Sequence, residues 1–391
     1  MLGTVLDVFR LRQYFNALLT SRDMVDSLRD DAVFLNTIRR ALLLLPTEST
    51  IPDDVHPFPP MRRRSLTAFQ GRRVALVATG GSGALAAVTG VWRAFEEAGI
   101  RPSVVSVCSG SSLFGFPLAA GIPAAEVAEF TLSMTPDDYV DINWKDLRRA
   151  LLRGGAGFAG FIRGERIEEA YRRLVGDMTL GELAVPCYAP VWNVEDNRLE
   201  YIGPRTHPDL SIARAIRVAI SIPLFLDPVR IGEGNWCDGG IVDIFPVKPV
   251  LEIEEGCDVA LAVNCFYPPE FAGENAEGWR EAPASILRVA SQVRTCQQVE
   301  LARENLSRLR EACEVLLIDP VPYSVVRGSG FYKQFLDRRD WPDFMRWGHR
   351  DAARALAAYR PRRRVRSVAA AGRGSRRGST AAARPDRRVT A

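Results

Sequence analysis

Continuous apolar runs, separated by glycine-rich turns and amphipathic segments, dominate the middle of the chain. The runs at 73–79 and 104–108 have the composition of buried parallel strands, and each leads through a Gly/Ser turn into a helical segment. Further strands are predicted at 188–194, 199–202, 258–264 and 314–318. Helices are predicted through most of 123–174 and at 211–220, 284–310 and 343–359. The repeated order of strand, turn and helix predicts an α/β domain.

The two ends of the chain differ from this body. Apolar residues at helical spacing in 2–19 and 25–42 predict two amphipathic helices, which we expect to pack on the body because their polar faces mix acids and bases. Residues 46–60 contain five prolines and are predicted to form an extended linker. The tail has little apolar bulk, so disorder is expected there. The expected division is a helical segment and linker at 1–64, a main domain at 65–359 and an arginine-rich tail at 360–391.

Charge is unevenly distributed along the chain. The formal charge of the 391 residues is +4, but the tail holds eleven arginines and one aspartate and so carries +10. The rest of the chain therefore carries −6, with an overall apolar share of 47% that is typical of a globular protein. Because the basic charge belongs to the tail, no specific nucleic-acid binding is expected.

Cysteine usage and the apolar segments bear on the compartment. The seven cysteines are scattered and lack Cys-x-x-Cys spacing, which argues against a disulfide framework or a zinc site and favours a reducing compartment. The first eleven residues lack the features of a secretory signal. The apolar stretch 74–92 is nearly long enough to span a bilayer, but four glycines interrupt it, so no transmembrane segment is predicted. A cytoplasmic location is expected.

The turn after the run at 104–108 carries the candidate nucleophile. Ser112 stands in the spacing Gly110-x-Ser112-x-Phe114, a partial match to the Gly-x-Ser-x-Gly turn that exposes a reactive serine between a strand and a helix. A plain turn is the alternative interpretation.

The glycine-rich turn at 79–83 offers a second functional element. Free backbone N–H groups at such a turn form a concave site that can hold the oxyanion of an attacked carbonyl. The predicted donors are the backbone N–H groups of Gly80, Gly81, Ser82 and Leu113. The stretch 81–86 also fits the dinucleotide-binding fingerprint, but that alternative needs an acidic residue after the next strand, and 107–110 contains none. No nucleotide cofactor is therefore expected.

A serine nucleophile needs a base, and histidine is the usual one. Two of the three histidines, His56 and His207, lie in the proline linker and in a Thr-His-Pro turn, where structural roles are favoured. A triad through His349 remains an alternative. Asp238 is the favoured base, because two glycines follow it and allow close approach, and burial would raise the pKa of its carboxyl.

A glycine-rich turn, a serine turn and Asp-Gly-Gly, in this order within one α/β chain, resemble the patatin-like phospholipase family over residues 73–250. The resemblance implies a three-layer α/β/α fold with a central, mostly parallel sheet. It also implies a dyad of Ser112 and Asp238 that hydrolyses acyl esters of lipids through an acyl-enzyme, without metal or cofactor. Lipid is then the expected partner, with peripheral membrane contact, while head group, chain length and oligomeric state are not predicted.

The chain departs from the family pattern at three places. In the glycine-rich turn, the family's usual glycine, basic residue and glycine are replaced by Ser82, Ala84 and Leu85. In the serine turn, the second glycine is replaced by Phe114. After Asp-Gly-Gly, the family's asparagine is replaced by Ile244. A catalytically impaired lipid-binding or scaffold protein on the same fold is therefore the alternative.

Two further segments are candidates for the surroundings of a site. The glycine-rich stretch 154–160 is a candidate flap. The aromatic-rich region 331–347 is expected to pack in the core, with a rim for lipid entry as the second hypothesis.

Overall fold

The structure is a computed structural model that describes residues 56–135, 159–272, 286–326 and 337–361, together with a few isolated positions between these ranges. The predicted N-terminal helices, most of the candidate flap and nearly all of the tail lie outside the described residues. The described chain up to Ala358 belongs to one compact unit, and a second unit begins at Tyr359. The predicted domain boundaries at 64 and 359 stay predictions.

An eight-stranded sheet forms the centre of the main unit. Its strands are β1 (Val74–Ala78), β2 (Val104–Ser106), β4 (Cys187–Asn193), β5 (Arg198–Ile202), β7 (Val229–Ile231), β8 (Gly234–Asp238), β9 (Val259–Val263) and β10 (Glu314–Ile318). The order is β10-β9-β1-β2-β4-β8-β7, with β5 also paired to β4. The pairs from β10 to β4 are parallel, whereas β5, β7 and β8 pair in antiparallel fashion. The sheet is therefore mostly parallel, as predicted.

The register along β4 brings two strand ends together. Ser106 at the end of β2 is opposite Tyr188, and Asp238 at the end of β8 is opposite Val191, three residues further along the same strand. The chain that leaves β2 therefore runs toward the end of β8. A small parallel sheet of β3 (Gly160–Ile162) and β6 (Leu224–Leu226), which the sequence analysis did not predict, lies outside the main sheet.

Eight helices connect these strands in the described part of the chain. They are α1 (Ala87–Ala98), α2 (Ser112–Ala119), α3 (Ala124–Ser133), α4 (Glu165–Val175), α5 (Ile212–Ala219), α6 (Ile286–Ala312), α7 (Tyr323–Val326) and α8 (Trp341–Ala358). The predicted helices near 211–220, 284–310 and 343–359 are confirmed. The stretch 123–174 holds α3 and α4 with β3 between them.

Helices cover the sheet on both faces. On one face, Val104 and Cys108 join the same apolar cluster as Val299 and Leu306 of α6. On the other face α2 packs so closely that a Cβ placed on Gly115 would lie 2.4 Å from Val107 Cγ1. Because alternate residues of a strand point to opposite faces, α2 and α6 lie on opposite sides. The fold is the predicted three-layer α/β/α arrangement.

Candidate active site

The chain turns sharply between β2 and α2. Ser109 has a left-handed backbone with φ of 49°, which is uncommon for a residue other than glycine. A 3₁₀ turn, Ser109–Ser111, follows directly, and α2 begins at Ser112. A strained serine at a strand-to-helix corner is the geometry of a nucleophile elbow. The elbow is thus centred on Ser109.

Asp238 ends β8 beside this elbow. Its side chain is buried at 2% exposure, its Oδ1 accepts a hydrogen bond from the Gly240 N–H at 2.7 Å, and its own N–H donates to the Ser221 carbonyl at 2.9 Å. Burial raises the pKa of this carboxyl to about 7, and hydrogen bonding with the Ser109 hydroxyl and the Gly240 N–H opposes part of that rise. Asp238 therefore titrates near neutral pH and interacts with Ser109.

Ser112, the nucleophile predicted from the sequence, has a different environment. It lies at the start of α2 with helical backbone angles and is 0% exposed. Its Oγ has no hydrogen-bond partner among the described residues, so it does not bond to Asp238. The structure thus brings Asp238 together with Ser109, which is three residues earlier and 6% exposed.

The glycine-rich turn lies directly against the elbow. A Cβ placed on Gly110 would be 2.2 Å from the Gly81 carbonyl oxygen, so the two backbones touch at this point. The N–H of Gly80 is already occupied, since it donates to the Ile244 carbonyl at 2.8 Å. Within the described chain, the N–H groups of Gly81, Ser82 and Gly110 have no acceptor.

This geometry changes the predicted set of donors. For a nucleophile at 109, the neighbouring N–H is that of Gly110 and not that of Leu113, which belongs to α2. Gly81 and Ser82 keep their predicted role as candidates, while Gly80 instead ties the turn to the segment after Asp238.

The three histidines have other contacts. His349 Nε2 lies 3.1 Å from Glu97 Oε2, and the His207 ring packs edge-on against Trp236 with centroids 5.8 Å apart. His56 is exposed. The structure therefore gives no support to a triad through His349. Among the described residues, no group of three or more His, Cys, Asp or Glu side chains could hold a metal ion.

The departures from the family pattern are accommodated by packing. Phe114 is fully buried and meets the Trp341 ring edge-on, with centroids 5.6 Å apart. Ile244 packs on the glycine-rich turn, because a Cβ on Gly80 would lie 2.4 Å from its Cδ1. Of the aromatic-rich region, the described Trp341 and Phe344 are buried, which agrees with core packing.

A buried polar cluster supports the loop that follows Asp238. The Tyr201 hydroxyl donates to Asp243 Oδ2 at 2.5 Å, and Asn305 Nδ2 donates to Asp243 Oδ1 at 3.0 Å. From α6, Gln298 Nε2 donates to the Gly240 carbonyl at 2.9 Å. These contacts from β5 and α6 stabilise the Asp-Gly-Gly turn and the loop that follows it. Sequence reasoning missed this cluster because its members come from three distant segments.

Ser109 was also missed, although a local signal was present. Ser109 is the first residue after the apolar run 104–108, and a nucleophile elbow places its serine directly after a strand. The spacing Gly110-x-Ser112, with a glycine two residues before the serine, favours Ser112 instead.

Part of the chain also matches a known protein family. The model of the family described as Patatin-like phospholipase matches residues 76–251, which confirms the resemblance found in the sequence. Within these residues the chain is similar to patatin-like phospholipases, a family of lipid hydrolases.

Curated relatives are similar over the same region. An uncharacterized NTE family protein of Mycobacterium tuberculosis is 27% identical over 194 residues, which is 49% of this chain and 49% of that protein. The uncharacterized protein YqhO of Bacillus subtilis is 24% identical over 181 residues, covering 41% of this chain and 61% of its own. The chain therefore spans about half the length of the first of these relatives.

Among solved structures, VipD from Legionella pneumophila aligns over 77% of this chain and 71% of its own, at 15% identity and a TM-score of 0.44. None of the described helices is both long enough and apolar enough to cross a membrane.

Proposed function

We propose that this protein is a lipid acyl hydrolase in which Ser109 is the nucleophile and Asp238 the base. The observation that carries the proposal is the left-handed Ser109 at the β2–α2 corner, whose hydroxyl interacts with the buried Asp238 carboxylate. The family match supports the same class of reaction. Ser109 takes the place of Ser112 in this proposal, because the Ser112 hydroxyl makes no hydrogen bond to the base.

The reaction follows from the contacts. Asp238 accepts the proton of the Ser109 hydroxyl as Oγ forms a bond to the ester carbonyl carbon, and the carbonyl oxygen becomes an oxyanion. The N–H groups of Gly81, Ser82 and Gly110 are available to bind it, and one such donor is typically worth about 3 kcal/mol. Asp238 then gives the proton to the departing alcohol. In the second half, Asp238 deprotonates a water molecule that attacks the acyl carbon, and the carboxyl then returns this proton to Ser109 Oγ as the bond between Oγ and the acyl carbon breaks and the acid is released.

The raised pKa of Asp238 is what makes a dyad without histidine chemically reasonable. A carboxylate with its ordinary pKa of about 3.9 is a weak base toward a hydroxyl group. With the pKa at about 7, the Asp238 carboxylate is a stronger proton acceptor while remaining largely ionised in mildly alkaline solution.

A fluorophosphonate probe, which phosphonylates activated serines, tests the proposal. We expect the wild-type protein to be labelled, Ser109→Ala to lose the label and Ser112→Ala to keep it. Ser112→Ala is a matched control because it removes a buried hydroxyl three residues away that has no partner. Tandem mass spectrometry of the labelled peptide identifies the modified serine. Label on Ser112 in the wild type would restore the assignment made from the sequence alone.

The substrate is addressed by a separate measurement. Wild type and Asp238→Asn are incubated with mixed lipid vesicles and with acylglycerol emulsions, and released fatty acids are measured by mass spectrometry. Release by the wild type alone supports hydrolysis and shows which lipid class is cleaved. A folded wild type that binds vesicles but neither reacts with the probe nor releases fatty acid would support the alternative, a lipid-binding or scaffold protein. Cosedimentation with the vesicles tests the expected peripheral contact.

A further inference from the structure

Ser111 makes an unusual pair of hydrogen bonds with the residue that precedes Ser109. Its Oγ accepts from the Cys108 N–H at 2.8 Å and donates to the Cys108 carbonyl at 2.8 Å. The backbone N–H of Ser111 donates to the same carbonyl at 3.0 Å. The side chain is 0% exposed, so water does not compete for these bonds. One hydroxyl thus holds both polar backbone groups of Cys108.

The Cys108 carbonyl belongs to the peptide plane that immediately precedes Ser109. The angle φ of Ser109 describes the rotation of that plane about the Ser109 N–Cα bond. At φ of 49°, the serine is in a region that side chains other than glycine seldom occupy, and rotation of the plane would relieve the strain. A hydrogen bond that fixes the plane therefore opposes this relaxation and keeps the nucleophile in its strained conformation at the corner.

Close packing at Gly110 makes the position of this corner critical. The Gly81 carbonyl lies against Gly110, so rotation at Ser109 would also move the N–H of Gly110 relative to the oxyanion donors of the facing turn. The relative positions of the nucleophile and the donors therefore both depend on the conformation that Ser111 stabilises.

We propose that Ser111 is a positioning residue, whose hydroxyl locks the peptide before Ser109 and so holds the nucleophile and the Gly110 N–H in their reactive arrangement. The proposal rests on the assignment of Ser109 as the nucleophile. Nothing in the reaction requires Ser111 to touch the substrate. Its role differs from ordinary helix capping, because a cap would affect the stability of α2 but not the reactivity of Ser109.

Labelling kinetics with the fluorophosphonate probe separate these roles. Ser111→Ala removes both side-chain bonds and is expected to lower the maximal labelling rate by about tenfold to a hundredfold, the size of effect that small misplacements produce. The probe concentration at half-maximal rate should stay within about twofold of wild type, because the binding surface is unchanged. Ser111→Thr keeps the hydroxyl and should restore most of the rate.

Ser106→Ala is the matched control. Ser106 is also fully buried, and its Oγ donates to the Pro246 carbonyl at 2.6 Å. Its substitution therefore removes the hydrogen bond of a buried serine in β2 and leaves the bonds of the elbow in place. Its labelling rate should stay within about twofold of wild type. All rates are compared below the melting temperature of the least stable variant.

Several results would overturn the proposal. These are a rate for Ser111→Ala within twofold of wild type, an equal loss in Ser106→Ala, no recovery in Ser111→Thr, or an Ser111→Ala chain that does not fold. The last result would assign Ser111 to stability alone. Failure of the wild type itself to be labelled would instead contradict the proposed function, so the two proposals are tested by different samples.

Discussion

Burial of a single carboxylate sets the chemistry available at this site. Asp238 accepts a hydrogen bond from the Gly240 N–H and interacts with the Ser109 hydroxyl. These interactions lower the pKa of its carboxyl, but burial away from water raises that pKa by more. Removal from water disfavours the charged form, so the pKa of the carboxyl rises from 3.8 to about 7. Below that value the group is mostly protonated and cannot accept a proton from serine.

We therefore expect the labelling rate of Ser109 to depend on pH through Asp238. The rate should fall about tenfold for each pH unit below 7 and reach a plateau above it, since only the ionised carboxylate acts as base. Measurement of the maximal fluorophosphonate labelling rate from pH 5 to pH 9 checks this. In Asp238→Asn the rate should be low throughout and lack this transition. A wild-type rate that is constant across the range would rule out Asp238 as the base.

At the scale of elements, the site forms where two strand-to-turn junctions touch. The turn after β1 supplies Gly81, and the elbow after β2 supplies Gly110, whose missing side chain lets the two backbones meet. Adjacent parallel strands place both turns at the same edge of the sheet, and β8 delivers Asp238 to that edge through its antiparallel pairing with β4. A side chain at the point of contact would separate the oxyanion donors from the nucleophile.

Gly110→Ala tests this contact. A Cβ there would lie 2.2 Å from the Gly81 carbonyl oxygen, so the facing turn must move, and we expect the labelling rate to fall by about a hundredfold. Gly99→Ala is the control, because Gly99 caps the C-terminus of α1, with φ of 66°, and has open space around its Cβ position. The control should lose about 1 kcal/mol of stability and no reactivity. Equal labelling rates in the two variants would contradict the proposed contact.

The elements of the candidate site were predictable from the sequence, but the choice of Ser109 as the proposed nucleophile was not. The strands β1 and β2, the glycine turn and Asp238 produce local signals in the form of apolar runs and glycine pairs. Three serines lie within four residues, Ser109, Ser111 and Ser112, and a spacing rule alone does not distinguish them. The choice depends on where β2 ends and on one backbone angle at Ser109, which are properties of the folded chain.

At the scale of the whole molecule, close packing between α1 and α8 stabilises the position of the glycine-rich turn. The two helices approach so closely that a Cβ on Gly90 of α1 would lie 1.9 Å from the Met345 carbonyl oxygen, and a Cβ on Gly348 of α8 would lie 2.1 Å from that of Ala87. Since only the short 3₁₀ segment Gly83–Ala86 separates the turn from α1, the position of α8 affects the position of the turn. Trp341 at the start of α8 also lies against Gly83.

Gly348→Ala should therefore act on both stability and reactivity. The new methyl group meets the rigid backbone of α1 at Ala87, so the helices must separate, and we expect the free energy of unfolding to fall by about 2–3 kcal/mol. Urea denaturation measures this loss, and the labelling rate should fall as well, because the turn that contains Gly81 moves with the start of α1.

Gly176→Ala is the control, since Gly176 has φ of 65° but no atom within 4 Å of its Cβ position. It should lose about 1 kcal/mol and keep the wild-type labelling rate. If Gly348→Ala left the free energy of unfolding unchanged, the two helices would have to move apart without loss of stability, which would contradict the prediction. If only the labelling rate stayed unchanged, the position of the glycine-rich turn would not depend on the contact between α1 and α8.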